Sequence, residues 1–102
     1  MTVYNKLVRD RIPQIIEANG GKATVLQLSS EEYIAYLEKK LDEEVGEYHK
    51  DKTVEELADI LEVIYALAAT VGCSQDQLIQ AYQKKHDERG GFEKRYFLVS
   101  VD

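Results

Sequence analysis

The chain has 102 residues, a formal net charge of −6, and 44% hydrophobic and 31% charged residues. That length fits one small domain, residues 1–102, and that composition excludes a disordered chain. With no strongly basic stretch, double-stranded nucleic acid is excluded as a partner, because binding its phosphates requires a positive face.

One cysteine, Cys73, excludes an internal disulfide and a cysteine-rich zinc site, and reads as a small buried hydrophobe. The opening Met1-Thr2-Val3-Tyr4-Asn5-Lys6 has no apolar run behind a basic start, so no signal peptide is expected. No apolar stretch reaches membrane-spanning length. The expectation is a soluble, cytoplasmic protein without a membrane partner.

The only proline, Pro13, suits the first turn of a short helix from Pro13 to about Ala18, ended by Gly20-Gly21. The segment Ala23 to Leu28 is short, β-branched and apolar, and predicts a strand. Ser29 with Glu32 forms a capping box for a helix from about Ser30 to His49. Ile34, Leu37, Leu41 and Tyr48 follow its apolar seam, and Glu44 takes a seam position between them. That interruption points the Glu44 carboxylate inward.

A tight turn at Asp51-Lys52 leads to Thr53, a second cap, with Glu56 three residues on. The next helix, about Val54 to Val71, is apolar almost all round. Between Leu57 and Val71 only Asp59 and Glu62 are charged. Such a helix is buried on most sides, and a chain this short cannot cover it, so a homodimer or higher homo-oligomer is expected. Ser74 and Gln77 cap a last helix, about Gln75 to Arg89, ended by Gly90-Gly91. Tyr96 to Val101 predicts a second strand, paired with the first. The fold class is therefore mainly α, a bundle of about four helices with a small two-stranded β ribbon.

Two acidic pairs lie close together, in Glu43-Glu44-Val45-Gly46-Glu47 and in Glu55-Glu56-Leu57-Ala58-Asp59. Carboxylates three residues apart share a helix face, about 4.5 Å apart along the axis. A fold that gathers them needs a cation, and Mg²⁺, a hard ion taking oxygen ligands, is the natural one. A single acidic pair is ordinarily a solvated face. Two on consecutive helices, with Glu44 on an apolar seam and Asp59 in an apolar helix, favour ligation.

These residues carry a resemblance. The pair Glu44-Val45-Gly46-Glu47 and Glu56-Leu57-Ala58-Asp59 resembles the paired acidic motifs of the all-α nucleoside triphosphate pyrophosphohydrolases, the MazG-like superfamily, which includes phosphoribosyl-ATP pyrophosphohydrolase and dimeric dUTPases. The opening Tyr4-Asn5-Lys6-Leu7-Val8-Arg9-Asp10-Arg11-Ile12-Pro13 and the tail Lys85-His86-Asp87-Glu88-Arg89-Gly90-Gly91-Phe92 look like a predicted house-cleaning subgroup. The likeness runs over nearly the whole chain. It implies Glu44, Glu47, Glu56 and Asp59 as ligands of Mg²⁺ or Mn²⁺, and Lys85 and Arg89 as contacts to substrate phosphates. It further implies hydrolysis of a nucleoside triphosphate to monophosphate and pyrophosphate, with Glu43 or Glu47 taking the proton of the attacking water.

Alternatives stand beside each assignment. Glu56 either ligates or turns back to cap its own helix. Glu62 is an extra ligand or a surface charge. Lys6, Arg9 and Arg11 reach a phosphate or form a solvated arm. His49 and His86 are not at zinc-ligand spacing and read as surface residues, and most of the seven tyrosines as core or interface residues. Phosphoribosyl-ATP hydrolysis is the rival activity, and a helical interaction module with solvated acids is the rival without catalysis.

Overall fold

The computed structural model describes residues 1–102 as four helices: α1 (Ile12–Ala18), α2 (Ser30–Asp51), α3 (Val54–Thr70) and α4 (Gln75–Arg89). All four expected helices form, and their caps explain their bounds. At α2, Ser29 Oγ accepts from the Glu32 backbone N–H at 3.2 Å, and the Glu32 carboxylate accepts from the Ser29 N–H at 3.2 Å. Ser74 and Gln77 close the same reciprocal pair at α4. Ser29→Ala is expected to cost about 1 kcal/mol in a denaturant titration, the usual value of a lost N-cap.

The α2–α3 turn is the joint that positions the site. Lys52 sits in the left-handed region at φ 52, ends α2, and donates from its backbone to Tyr48 O and from Nζ to His49 O. Thr53 then caps α3, its Oγ1 accepting from the Glu56 N–H at 3.4 Å. So short a connection lays α2 and α3 side by side, antiparallel. Leu37 on α2 and Val63 and Ala68 on α3 are buried. The α3 side of the seam continues through Ile60 and Leu67, both half-buried.

Beyond this hairpin the structure departs from expectation in three ways. First, there is no β ribbon: neither Ala23–Leu28 nor Tyr96–Val101 forms a strand. Neither segment has a ladder partner, and α4, which leads into the tail, turns off α3 by 106°. Phe97, Leu98 and Val99 stay more than three-quarters exposed.

Second, the helices do not close into a bundle. α3 packs on α2 and α4 touches α3, but α1 lies along no other helix. The radius of gyration is 17.8 Å, against about 13 Å for a compact chain of this length. Third, Cys73 is only half-buried and none of the tyrosines is buried. Only three residues are buried, and α3 is left partly uncovered within one chain, as expected for so short a chain. No single helix is long and apolar enough to cross a membrane.

Candidate metal and phosphate site

The antiparallel hairpin brings the C-terminal half of α2 against the N-terminal turns of α3. On α2, Glu44 lies two turns after Leu37 on the same seam; on α3, Glu56 and Asp59 lie one or two turns before Val63. The apolar contact and the acidic contact are therefore successive stretches of one interface. Glu44, Glu56 and Asp59, all half-buried, hold carboxylate oxygens within 4.8 Å of one another. A second group with the same limit contains Glu47, Asp51 and Glu56. Three of the four acids expected as ligands thus meet in one group, and the fourth, Glu47, shares the other group with Glu56.

The contacts bear on one alternative left open by the sequence and add one residue to the cluster. The Glu56 carboxylate makes no hydrogen bond back to Thr53, unlike Glu32 and Gln77 in their capping boxes, so it is free to face the other acids. Asp51 joins the site although the motifs omit it. Its signal was available: it follows Glu47 by four residues, the spacing that continues a helix face.

The electrostatics show an acid cluster balanced by cations from elsewhere in the chain. Burial and the charges of Asp51, Asp59, Glu47 and Glu44, in that order, push the Glu56 carboxyl above its ordinary range. Glu43 goes the other way. Burial is the largest single influence on it and opposes ionisation, but the hydrogen bond from Lys6 with the charges of Lys40 and Lys6 outweighs it and holds its carboxyl low. Lys6 Nζ lies 3.2 Å from Glu43 Oε1, and Lys40 Nζ lies 3.5 Å from Glu43 and 3.3 Å from Glu44.

The N-terminal segment supplies the rest. Asn5, at φ 47, takes the left-handed turn that asparagine tolerates, within an arm that lies against α2 and α3. Arg9 bridges two turns of α3, with Nη1 3.6 Å from Asp59 and Nη2 3.1 Å from Glu62. Glu62 is therefore an anchor for Arg9, outside both carboxylate groups. Lys6 and Arg9 pair with the acids while staying about half-exposed, and Arg11 makes no ion pair. Lys6, Arg9 and Lys40 line a cleft of about 240 Å³ whose floor includes Glu44 and Asp59.

Lys85 and Arg89 are not brought to this site within the chain. Both are exposed on α4. Helical rise places Asp59 about 16 Å before the α3–α4 corner and Lys85 about 15 Å after it. With the helices nearly perpendicular, the two are roughly 20 Å apart.

The donor set is chemically suited to a hard divalent ion: three carboxylates converging from two helices, with no sulfur or imidazole among them. No family model matches the chain, and no solved structure matches it. An uncharacterised protein of Mycolicibacterium smegmatis is 55% identical over 42 residues, which make up 41% of this chain and 43% of that relative. The match therefore covers less than half of either protein.

Proposed function

We propose that the protein is a Mg²⁺-dependent nucleotide pyrophosphohydrolase of the MazG-like kind, cutting a nucleoside triphosphate into monophosphate and pyrophosphate and removing non-canonical nucleotides. The observation that carries this reading is the convergence of Glu44, Glu56 and Asp59 from two antiparallel helices beside a cleft lined with cations. Glu44, Glu56 and Asp59 would hold the ion, with Glu47 and Asp51 beside Glu56 as a second donor group; Mn²⁺ suits the same oxygens. When bound, the ion neutralises phosphate charge and lowers the pKa of a coordinated water.

Between the two candidate bases, the contacts favour Glu47. Glu43 is held by two lysines with its carboxyl depressed, which weakens it as a proton acceptor. Glu47 makes no ion pair and stands at the edge of the donor group. Lys85 and Arg89 serve this site only if a second copy of the chain presents them, which fits the proposed homo-oligomer. The exposed apolar surface of α3 supports that assembly.

The test is an incubation of the chain with canonical and damaged nucleoside triphosphates and with phosphoribosyl-ATP, with and without Mg²⁺, resolved by ion exchange. Monophosphate and pyrophosphate as first products, dependent on the metal, are expected. Orthophosphate and a diphosphate as first products refute the assignment, and turnover of phosphoribosyl-ATP alone moves the protein to the rival substrate.

A further inference from the structure

Three cations converge on the acid cluster from outside the acidic motifs: Lys6 and Arg9 from the N-terminal arm and Lys40 from α2. We propose that Lys6, Arg9 and Lys40 form the phosphate-binding half of the site, with the arm as a clamp that holds an oligophosphate chain against the acids. This inference rests on the metal-site reading above and assigns the ligand's phosphates to residues within the same chain.

The argument is one of charge exchange. In the metal-free protein, Arg9 faces Asp59 and Glu62, while Lys40 faces Glu43 and Glu44. Glu44 and Asp59 would be neutralised by a divalent ion held between them. Arg9 and Lys40, each paired with one of those carboxylates and one other, would then have a counter-charge to spare beside an open cleft. An anionic phosphate chain would restore the balance.

The geometry suits that ligand. Arg9 is a planar fork that binds phosphate in a bidentate manner, and Lys6 and Lys40 add point charges along the same wall. Two open clefts, of about 240 Å³ and about 190 Å³, share Lys6 and Lys40 among their lining residues. Glu43 and Glu62 lie outside the proposed metal group and remain as tethers for Lys6 and Arg9. The arm therefore stays docked while its cations turn to the ligand. Arg9 is half-exposed, so it moves without opening the core.

Inorganic tripolyphosphate probes the phosphate half without a nucleoside. It is titrated calorimetrically into the full chain with Mg²⁺ present, for wild type, Arg9→Ala, Lys6→Ala and Arg9→Lys, with circular dichroism to verify folding. Mn²⁺ binding to the same proteins is read separately by electron paramagnetic resonance. Arg9→Ala and Lys6→Ala should each weaken tripolyphosphate binding about tenfold or more, the weight of one charge-assisted hydrogen bond. Arg9→Lys should fall between wild type and Arg9→Ala, and Mn²⁺ binding should be unchanged or tighter in all.

Folded variants that bind tripolyphosphate within twofold of wild type make these cations a purely structural latch and overturn the proposal. So does a wild type that binds Mn²⁺ but no tripolyphosphate. If wild type binds no Mn²⁺, the metal-site reading fails on its own. A second tripolyphosphate titration, run without Mg²⁺, then still decides the clamp: loss of binding in Arg9→Ala upholds it, and no loss overturns it.

Discussion

Glu56→Gln is expected to abolish metal-dependent turnover while making the metal-free protein more stable near neutral pH. Glu56 is the carboxylate shared by both donor groups, so its loss leaves each group with two acids. A fall in turnover of more than about 100-fold is expected, since disturbing even the outer partners of a metal site costs 10–100-fold. The stability gain follows from the surroundings of Glu56. Burial, with the charges of the other acids, raises its folded-state pKa above its unfolded value. Its favourable contribution is complete below the unfolded pKa and disappears as pH rises through the folded pKa. At neutral pH, wild type therefore carries a penalty that glutamine lacks. The advantage of the variant should shrink as pH falls through that window. Glu43, held low by Lys6 and Lys40, has the opposite sign: its contribution is present above its unfolded pKa and lost as pH falls through the folded one.

Metal addition should reverse the order. Binding at 100 times the dissociation constant stabilises by about 2.7 kcal/mol through mass action, and only the protein with an intact site gains it. Thermal melts of both proteins from acidic to neutral pH, with and without Mg²⁺, read all of this. A variant less stable than wild type in the absence of metal at neutral pH would show that Glu56 is not in a repulsive cluster. A variant that keeps its Mg²⁺-induced rise in Tm would remove it from the ligand set.

The local architecture was legible because its signals are local. Ser29, Thr53 and Ser74 each stand three residues before the Glu or Gln that marks a helix start, and each is a working cap. Glu44 on an apolar seam was legible for the same reason, since a helix face is a property of spacing. The connection between Glu47 and Glu56, only eight residues, also fixed the hairpin. What the spacing did not reveal was where the counter-charges come from. Arg9 meets Glu62 across 53 positions and Lys6 meets Glu43 across 37. No periodicity relates residues so far apart, and a short arm with three cations has the same composition whether docked or solvated. The ribbon failed for a related reason. The β character of Ala23–Leu28 and Tyr96–Val101 is a local preference, but a strand requires a partner, and neither segment has one.

Leu61→Glu should turn an assembled wild type into a monomer. Leu57, Leu61 and Ile64 follow one another at four- and three-residue steps along α3, so they form a single stripe. They are 49%, 45% and 37% exposed, on a different face from the seam of Ile60, Val63 and Leu67 that meets α2. Three buried residues are a small core for 102, and the exposed stripe on α3 is apolar surface that the proposed second copy would cover. A second copy is the occupant that the proposed function requires, because Lys85 and Arg89 lie roughly 20 Å from the acids in their own chain. A glutamate at the centre of such a stripe should weaken association by at least about 30-fold, the weight of an interface hot spot. Light scattering at micromolar concentration reads it. A well-folded wild-type monomer, or an unchanged mass for Leu61→Glu, would sink the assembly. The shared site has a sharper test in mixed oligomers. Glu56→Gln lacks the acid, and Lys85→Ala lacks the distant cation. When the two inactive proteins are mixed, one site in each mixed dimer combines intact acids with the intact Lys85 of the other copy, so turnover should return. If mixing restores nothing while each variant still assembles, Lys85 does not act across the interface.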